Sequence, residues 1–245
     1  MKIVLEQIRN IIGRCINTAG YFYYKKKYAP FGIDHCNDIA RFLGEGHVKT
    51  IIDVGANIGN TVVEYAKCFP HAEIIAIEPI KTTYDILCSN ISKRSKVKAF
   101  QCAVGSEAGT VNVNLKDHSE CNSLIADAAD NAKRESIEIV DVKKLDDLAS
   151  AEGLLRFDIL KTDTEGYDLE VLKGATQLLT NSSKAFILSE VTFHRKDPCH
   201  TQFVELHQYL ANFGFDFCGI YDQDYNSFAP AKPPLLYCNA LFYKK

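Results

Sequence analysis

The sequence predicts an α/β fold: a Rossmann-like, mostly parallel sheet closed by an antiparallel C-terminal strand and preceded by an N-terminal helical extension. Three observations predict it. From residue 50 onward, short β-rich apolar runs alternate with helical segments, the order that a parallel sheet with crossover helices requires. The first run, 50–54, stops at a glycine-bearing turn that opens onto a helix. The last extended segments follow one another with no helix between them, which suits a hairpin on an otherwise parallel sheet.

Residues 1–48 read as the helical extension and 49–245 as the main domain. In the extension, Ile3, Val4, Ile8, Ile11 and Ile12 share one face of a helix over 1–16. Glu6, Gln7, Arg9 and Asn10 interrupt the apolar stretch, which argues against a signal peptide or a spanning helix. The aromatic and basic cluster at 21–28 reads as an accessory helix packed on the domain with a solvated lysine run. Peripheral contact with a membrane surface is the alternative. After a break at 29–32, a second helix is expected over 34–43.

The main domain then reads as strand 50–54, helix 60–69, strand 73–78, helix 82–92 and strand 97–104. Extended pieces at 109–115 and 136–142 flank a polar stretch, 116–134, containing His118, Cys121, Asn122 and Ser123. A loop of that length suits a lid or binding loop. Strands 157–162 and 185–190, a helix over 201–213, and extended segments 215–220 and 236–243 complete the domain. The polar stretch 221–235 between the last two reads as a loop able to hydrogen-bond or stack on a sugar.

The bulk properties agree with one such domain. The 245 residues are 47% hydrophobic, enough for a sizeable core. A net charge of −3 with interspersed signs argues against a general nucleic-acid binder. Nine scattered cysteines with no C-x-x-C pair read as reduced thiols of a cytoplasmic protein rather than a zinc knuckle.

The turn after the first strand carries the chemistry. Gly55 and Gly59 permit a tight turn and close approach to the backbone, and the helix beginning near Asn60 points N–H groups at the same space. Glu78, at the end of the second strand, is placed to accept hydrogen bonds from ribose hydroxyls. A dinucleotide site would want G-x-G-x-x-G, but Asn57 stands where a glycine is needed, and no Gly-Lys-Ser/Thr ending marks a P-loop. S-adenosylmethionine has no pyrophosphate and needs fewer glycines. Asp53 would serve its positively charged end, directly or through water. The reading is therefore S-adenosylmethionine ahead of NAD.

The segments Asp53-Val54-Gly55-Ala56-Asn57-Ile58-Gly59-Asn60, Glu78-Pro79 and Ala103-Val104-Gly105 resemble those of the FkbM-type methyltransferases. So do Leu145-Asp146-Asp147-Leu148, the run from Leu160 to Asp168, and Val171-Leu172-Lys173-Gly174-Ala175. Thr164 departs from the hydrophobic residue usual between Asp163 and Glu165. The resemblance implies a class I methyltransferase fold, S-adenosylmethionine as methyl donor, and usually O-methylation of a sugar or other small molecule. Asp53, Gly55, Asn57, Gly59, Asn60, Glu78, Ala103 and Asp163 form the expected cofactor site.

The acceptor site is expected at the carboxyl ends of the later strands. Lys161, Asp163 and Glu165 share one face if the chain stays extended, and Glu190 and His194 follow the fifth strand. Asp163, Glu165, Glu190 and His194 are the catalytic candidates. His194, Asp163 or Glu165 would remove a proton from a hydroxyl. No metal ligand set is required by the sequence, though Asp163 and Glu190 holding Mg²⁺ is an alternative. The place where base-methylating enzymes carry an Asp/Asn-Pro-Pro-Tyr/Phe turn holds Asp163-Thr164-Glu165-Gly166, which speaks against nucleic acid. A nucleic-acid or protein methyltransferase, or a non-catalytic cofactor binder, are the rival readings.

Overall fold

A computed structural model describes residues 10–16, 18, 25, 28–44, 46–114, 137–194, 197, 199–225 and 235–245. The expectations for residues 1–9, the cluster at 21–24 and the loop at 116–134, with His118, lie outside the described residues. No helix among the described residues is long and apolar enough to cross a membrane.

Helix α1 (His35–Leu43) precedes the sheet, capped by Asp34, whose side chain accepts the Asn37 N–H. Then follow β1 (Thr50–Val54), α2 (Asn60–Cys68), β2 (Glu73–Ile77), α3 (Lys81–Ile91) and β3 (Val97–Phe100). A second, small sheet is built from β4 (Ala103–Val104), β5 (Gly109–Asn114) and β6 (Ile137–Lys143). The main sheet resumes after α4 (Leu145–Ala151) with β7 (Ile159–Thr162). Helices α5 (Asp168–Lys173) and α6 (Thr176–Asn181), β8 (Ala185–Thr192), α7 (Phe203–Ala211), β9 (Asp216–Asp224) and β10 (Tyr237–Lys244) complete the chain.

The main sheet has the order β3-β2-β1-β7-β8-β10-β9, with every pairing parallel except those of β10. Its central strands are apolar on both faces, which is why they read as continuous hydrophobic runs. Ile52, Val54, Leu160 and Ile187 pack under Leu145, Leu172, Leu179 and Leu206 from α4 to α7. Ile51, Ile159, Phe186 and Leu188 pack under Ile39, Val62, Tyr65 and Leu87 from α1 to α3. Three layers result, with the strand ends left open along one edge.

Two expectations need correction. The segment read as one strand over 97–104 is two: β3 belongs to the main sheet, while β4 leaves it to pair with β6 at Val142 and Lys143. An apolar run carries no mark of which sheet each half joins. The 221–235 loop is also shorter than expected, because β9 continues to Asp224. Tyr221 is buried, and its hydroxyl donates to Asp38 of α1 at 3.0 Å, so it anchors the extension rather than facing a ligand. Residues 226–234 lie outside the described residues.

Candidate functional site

A cleft of about 350 Å³ opens at the carboxyl ends of β1, β2, β7 and β8. This is the point where strand order reverses about β1, the usual ligand crevice of an open α/β sheet. Its walls include Gly55, Asn57, Asn60, Glu78 and Ala103 toward one end and Asp163, Glu165, Glu190 and Tyr237 toward the other.

The β1–α2 turn needs left-handed backbone at Gly55 (φ 79°), Asn57 (φ 49°) and Gly59 (φ 92°). Asn57 is tolerated there because its own Oδ1 accepts the Ile58 N–H at 2.8 Å. Both glycines make the tight turn expected of them, and each also meets packed protein. A Cβ on Gly55 would lie 1.9 Å from the Asp163 carbonyl oxygen, and one on Gly59 would lie 2.7 Å from Leu87 Cδ1. Backbone excludes a side chain at Gly55, whereas at Gly59 the obstacle is a movable leucine tip and the left-handed φ is what favours glycine.

Glu78 is 6% exposed, and each of its oxygens is held by backbone. Oε2 accepts the Asn57 N–H at 3.0 Å and Oε1 the Ile80 N–H at 3.0 Å. Burial lifts its pKa to about 7 against the downward pull of those two N–H groups. Ile80, Cys102, Ala103 and Val104 form an apolar wall beside it.

Asp53 does not line the cleft. It is fully buried beneath it, and Lys161 reaches across from β7 to within 3.4 Å of Asp53 Oδ1 and 3.1 Å of Asp163 Oδ2. Burial acts to lower the Lys161 pKa, but the two carboxylates outweigh it and hold the ammonium above its ordinary value. Burial raises the Asp53 pKa against the attraction of Lys161.

Lys161, Asp163 and Glu165 do not share an extended face. β7 stops at Thr162, and the chain turns at Glu165 (φ 52°) and Gly166 (φ 92°). The turn itself brings Glu165 to the cleft wall. Glu190 also lies there, and its pKa is pushed up to about 9 by burial and then by the negative charges of Asp163, Asp168 and Glu165. Asp168 is fully buried, receives a hydrogen bond from Thr201 at 3.2 Å, and is lifted by burial to about 6.

His194 is exposed and is not part of the cleft wall. The imidazole that approaches Glu190 belongs to His200, whose Nε2 is 3.6 Å from Glu190 Oε2. Its Nδ1 lies 2.8 Å from Asp197 Oδ2, and its ring stacks on Tyr237 at 4.5 Å. The sequence reading missed His200, Asp197 and Tyr237. Asp197 and His200 stand three residues apart between β8 and α7, where no periodicity marks which side chains face the cleft.

The remaining motif block is structural. A Cβ on Gly174 would lie 2.1 Å from the Gly105 carbonyl oxygen, so the end of α5 sits directly on the bend after β4. That contact requires glycine at 174, while Gly105 contributes only its backbone to it.

Comparison with known proteins agrees with this architecture. Residues 53–217 match the model of the methyltransferase FkbM domain. The chain is 34% identical over 185 residues to methyltransferase sdnD of Sordaria araneosa, covering 64% of this chain and 69% of that one. It is 31% identical over 160 residues to methyltransferase 1 of Beauveria bassiana, covering 58% and 63%. It is 27% identical over 139 residues to the hexuronic acid methyltransferase AglP of Haloferax volcanii, covering 57% and 54%. The chain thus spans less than two thirds of the length of the latter two relatives. The matched segment holds the glycine turn, Glu78, Asp163, Glu165, Glu190 and His200, and the chain belongs to the FkbM methyltransferase family.

Proposed function

We propose that the protein transfers a methyl group from S-adenosylmethionine to a hydroxyl of a sugar or similar small molecule. The observation that carries the donor half is Glu78. A carboxylate offers about four acceptor positions. Backbone N–H groups use one on each oxygen, leaving acceptor capacity toward the cleft for two ribose hydroxyls. The neighbouring apolar wall suits an adenine ring, and the open positions near Asn57 and Asn60 suit polar contacts. When bound, the sulfonium supplies an electrophilic methyl group. The chain's task is then to align an acceptor oxygen and receive its proton.

Asp163 is held by Lys161 and acts through charge and position. Glu165 and Glu190 flank the acceptor end of the cleft, and Glu165 is the carboxylate that takes the hydroxyl proton. The sugar acceptor is supported by the name of the Haloferax relative and by the polar residues at the acceptor end of the cleft.

Calorimetry with S-adenosylhomocysteine and with NAD tests the donor. Binding of the first alone is expected, and NAD binding without S-adenosylhomocysteine binding would overturn the proposal.

The lifted pKa of Glu78 adds a pH signature. Ribose O–H donors favour its ionised form, so cofactor binding lowers that pKa and releases a proton. Affinity is therefore full above pH 7 and falls as pH drops below it, by up to about tenfold per unit. Glu78→Ala is expected to weaken S-adenosylhomocysteine by about 10–100-fold and to remove this pH dependence. Calorimetry between pH 5.5 and 8.5 reads both effects; a variant that keeps the wild-type slope means another group titrates.

A further inference from the structure

We propose that Glu165, Glu190 and His200 form a divalent-cation site of the Mn²⁺ or Mg²⁺ kind at the acceptor end of the cleft, with Asp197 fixing the imidazole. One ligand atom from each of the three lies within 4.8 Å of the others. Around such an ion, bound at about 2.0–2.2 Å, neighbouring ligand atoms stand roughly 3 Å apart and opposite ones roughly 4.3 Å. The cluster needs only a small closure to reach that spacing. Its members come from three separate places: the turn after β7, the body of β8, and the segment before α7.

The imidazole supplies an observation independent of the acidic residues. Asp197 Oδ2 sits 2.8 Å from His200 Nδ1, so that nitrogen carries the proton and donates it. The lone pair is left on Nε2, on the side facing Glu190. Asp197 is itself held, its Oδ1 accepting the Cys199 N–H at 2.8 Å. A carboxylate that orients the far nitrogen of a histidine is the usual support of a metal-binding imidazole.

The Nε2–Oε2 separation of 3.6 Å is too long for a hydrogen bond, and that buried Glu190 oxygen has no hydrogen-bond partner among the described residues. A buried acceptor left this way costs stability. A cation shared with Nε2 would satisfy both atoms. Asp163 is not a ligand in this arrangement, because its carboxylate is turned to Lys161 at 3.1 Å. Two carboxylates and one imidazole suit a hard or borderline ion rather than a thiophilic one.

Three protein ligands leave coordination positions open to the cleft. An acceptor presenting two oxygens, a vicinal diol or a hydroxy acid, would chelate there, and the bound hydroxyl would lose its proton more easily. This consequence rests on the methyl-transfer reading; the metal site itself does not.

Mn²⁺ titration of the full chain, followed by electron paramagnetic resonance, tests the site without any acceptor. One bound Mn²⁺ per chain is expected, displaced by excess Mg²⁺, with spin-echo modulation from a ligating nitrogen. His200→Gln should abolish the nitrogen signal and weaken binding at least about tenfold, and Asp197→Asn should weaken it about 10–100-fold. S-adenosylhomocysteine affinity should stay at the wild-type value, while the rise in thermal midpoint that Mn²⁺ gives the wild-type chain should be lost in both variants. Absence of stoichiometric Mn²⁺ binding, or a nitrogen signal that survives His200→Gln, overturns the site. Loss of S-adenosylhomocysteine binding in the wild-type chain would instead overturn the donor reading and leave the metal result standing.

Discussion

Gly55→Ala is expected to destabilise the fold by on the order of 4 kcal/mol and to lower cofactor affinity at least about tenfold. Left-handed backbone at an alanine costs about 1–2 kcal/mol. The larger part is the contact, since the new Cβ would stand 1.9 Å from the Asp163 carbonyl oxygen and 2.9 Å from its carbonyl carbon. Backbone has no rotamer with which to move aside, so the ends of β1 and β7 must part. That movement strains the Asp163 N–H bond to Val54 O, at 3.1 Å, and the Gly55 and Ala56 N–H bonds to Ile77 O, both at 3.0 Å. It also shifts Asn57 away from Glu78. Gly153→Ala provides the control. Gly153 has φ 73° but nothing within 4 Å of its would-be Cβ, so it meets the backbone cost alone. Urea unfolding of both variants separates the two contributions. Equal losses would mean that the strand ends do not touch as described.

This contact bears on what was legible in the sequence. The positions of Gly55 and Gly59 stood out because a strand ran into them and a helix followed. Their spacing announced the turn but not the backbone contact at Gly55, because the atoms that exclude a Cβ there come from Asp163, distant in the chain. Glu78 was legible because strand length and the βαβ unit fix where the second strand ends. The later carboxylates were legible as residues at strand ends, but the route to the cleft was not. Glu165 arrives there through a left-handed turn, and a turn of that kind has no periodicity to read. His194 drew attention by proximity to Glu190 in sequence. Yet β8 runs on to Thr192, and the chain must loop back before an imidazole can face Glu190, so His200 takes that place. The division of 97–104 between two sheets was illegible for a related reason. Val97–Phe100 and Ala103–Val104 are extended in either case, and only the partners, β2 for one and β6 for the other, distinguish them.

Lys161→Met is the second substitution with a large expected effect, about 3–5 kcal/mol of stability lost near pH 7.5. The ammonium is only 7% exposed and stands between two carboxylates, one of them entirely buried. Apart from Lys161, Asp53 has no side-chain or backbone partner among the described residues, so removing the cation leaves a buried charge with nothing to balance it. The double variant Asp53→Asn, Lys161→Met removes that charge and should recover most of the loss, since the cost lies in the unpaired carboxylate rather than in the missing amine. The pH dependence has a definite sign. Burial already raises the Asp53 pKa, and without Lys161 it rises further. A carboxyl group whose folded pKa exceeds its unfolded value, about 3.9, binds its proton more tightly in the folded state. Stability of the single variant therefore increases relative to wild type as pH falls from neutrality toward that unfolded value, and the double variant lacks this trend. Urea midpoints at pH 5 and pH 7.5 measure it. If the gap between Lys161→Met and wild type does not narrow at pH 5, Asp53 is not the group left uncompensated. The same experiment speaks to function, because Lys161 is the link through which the buried Asp53 is joined to Asp163 at the cleft. If Asp53 matters to the site only through this pair, the double variant will regain stability while Asp163, freed of its cation, no longer holds its place.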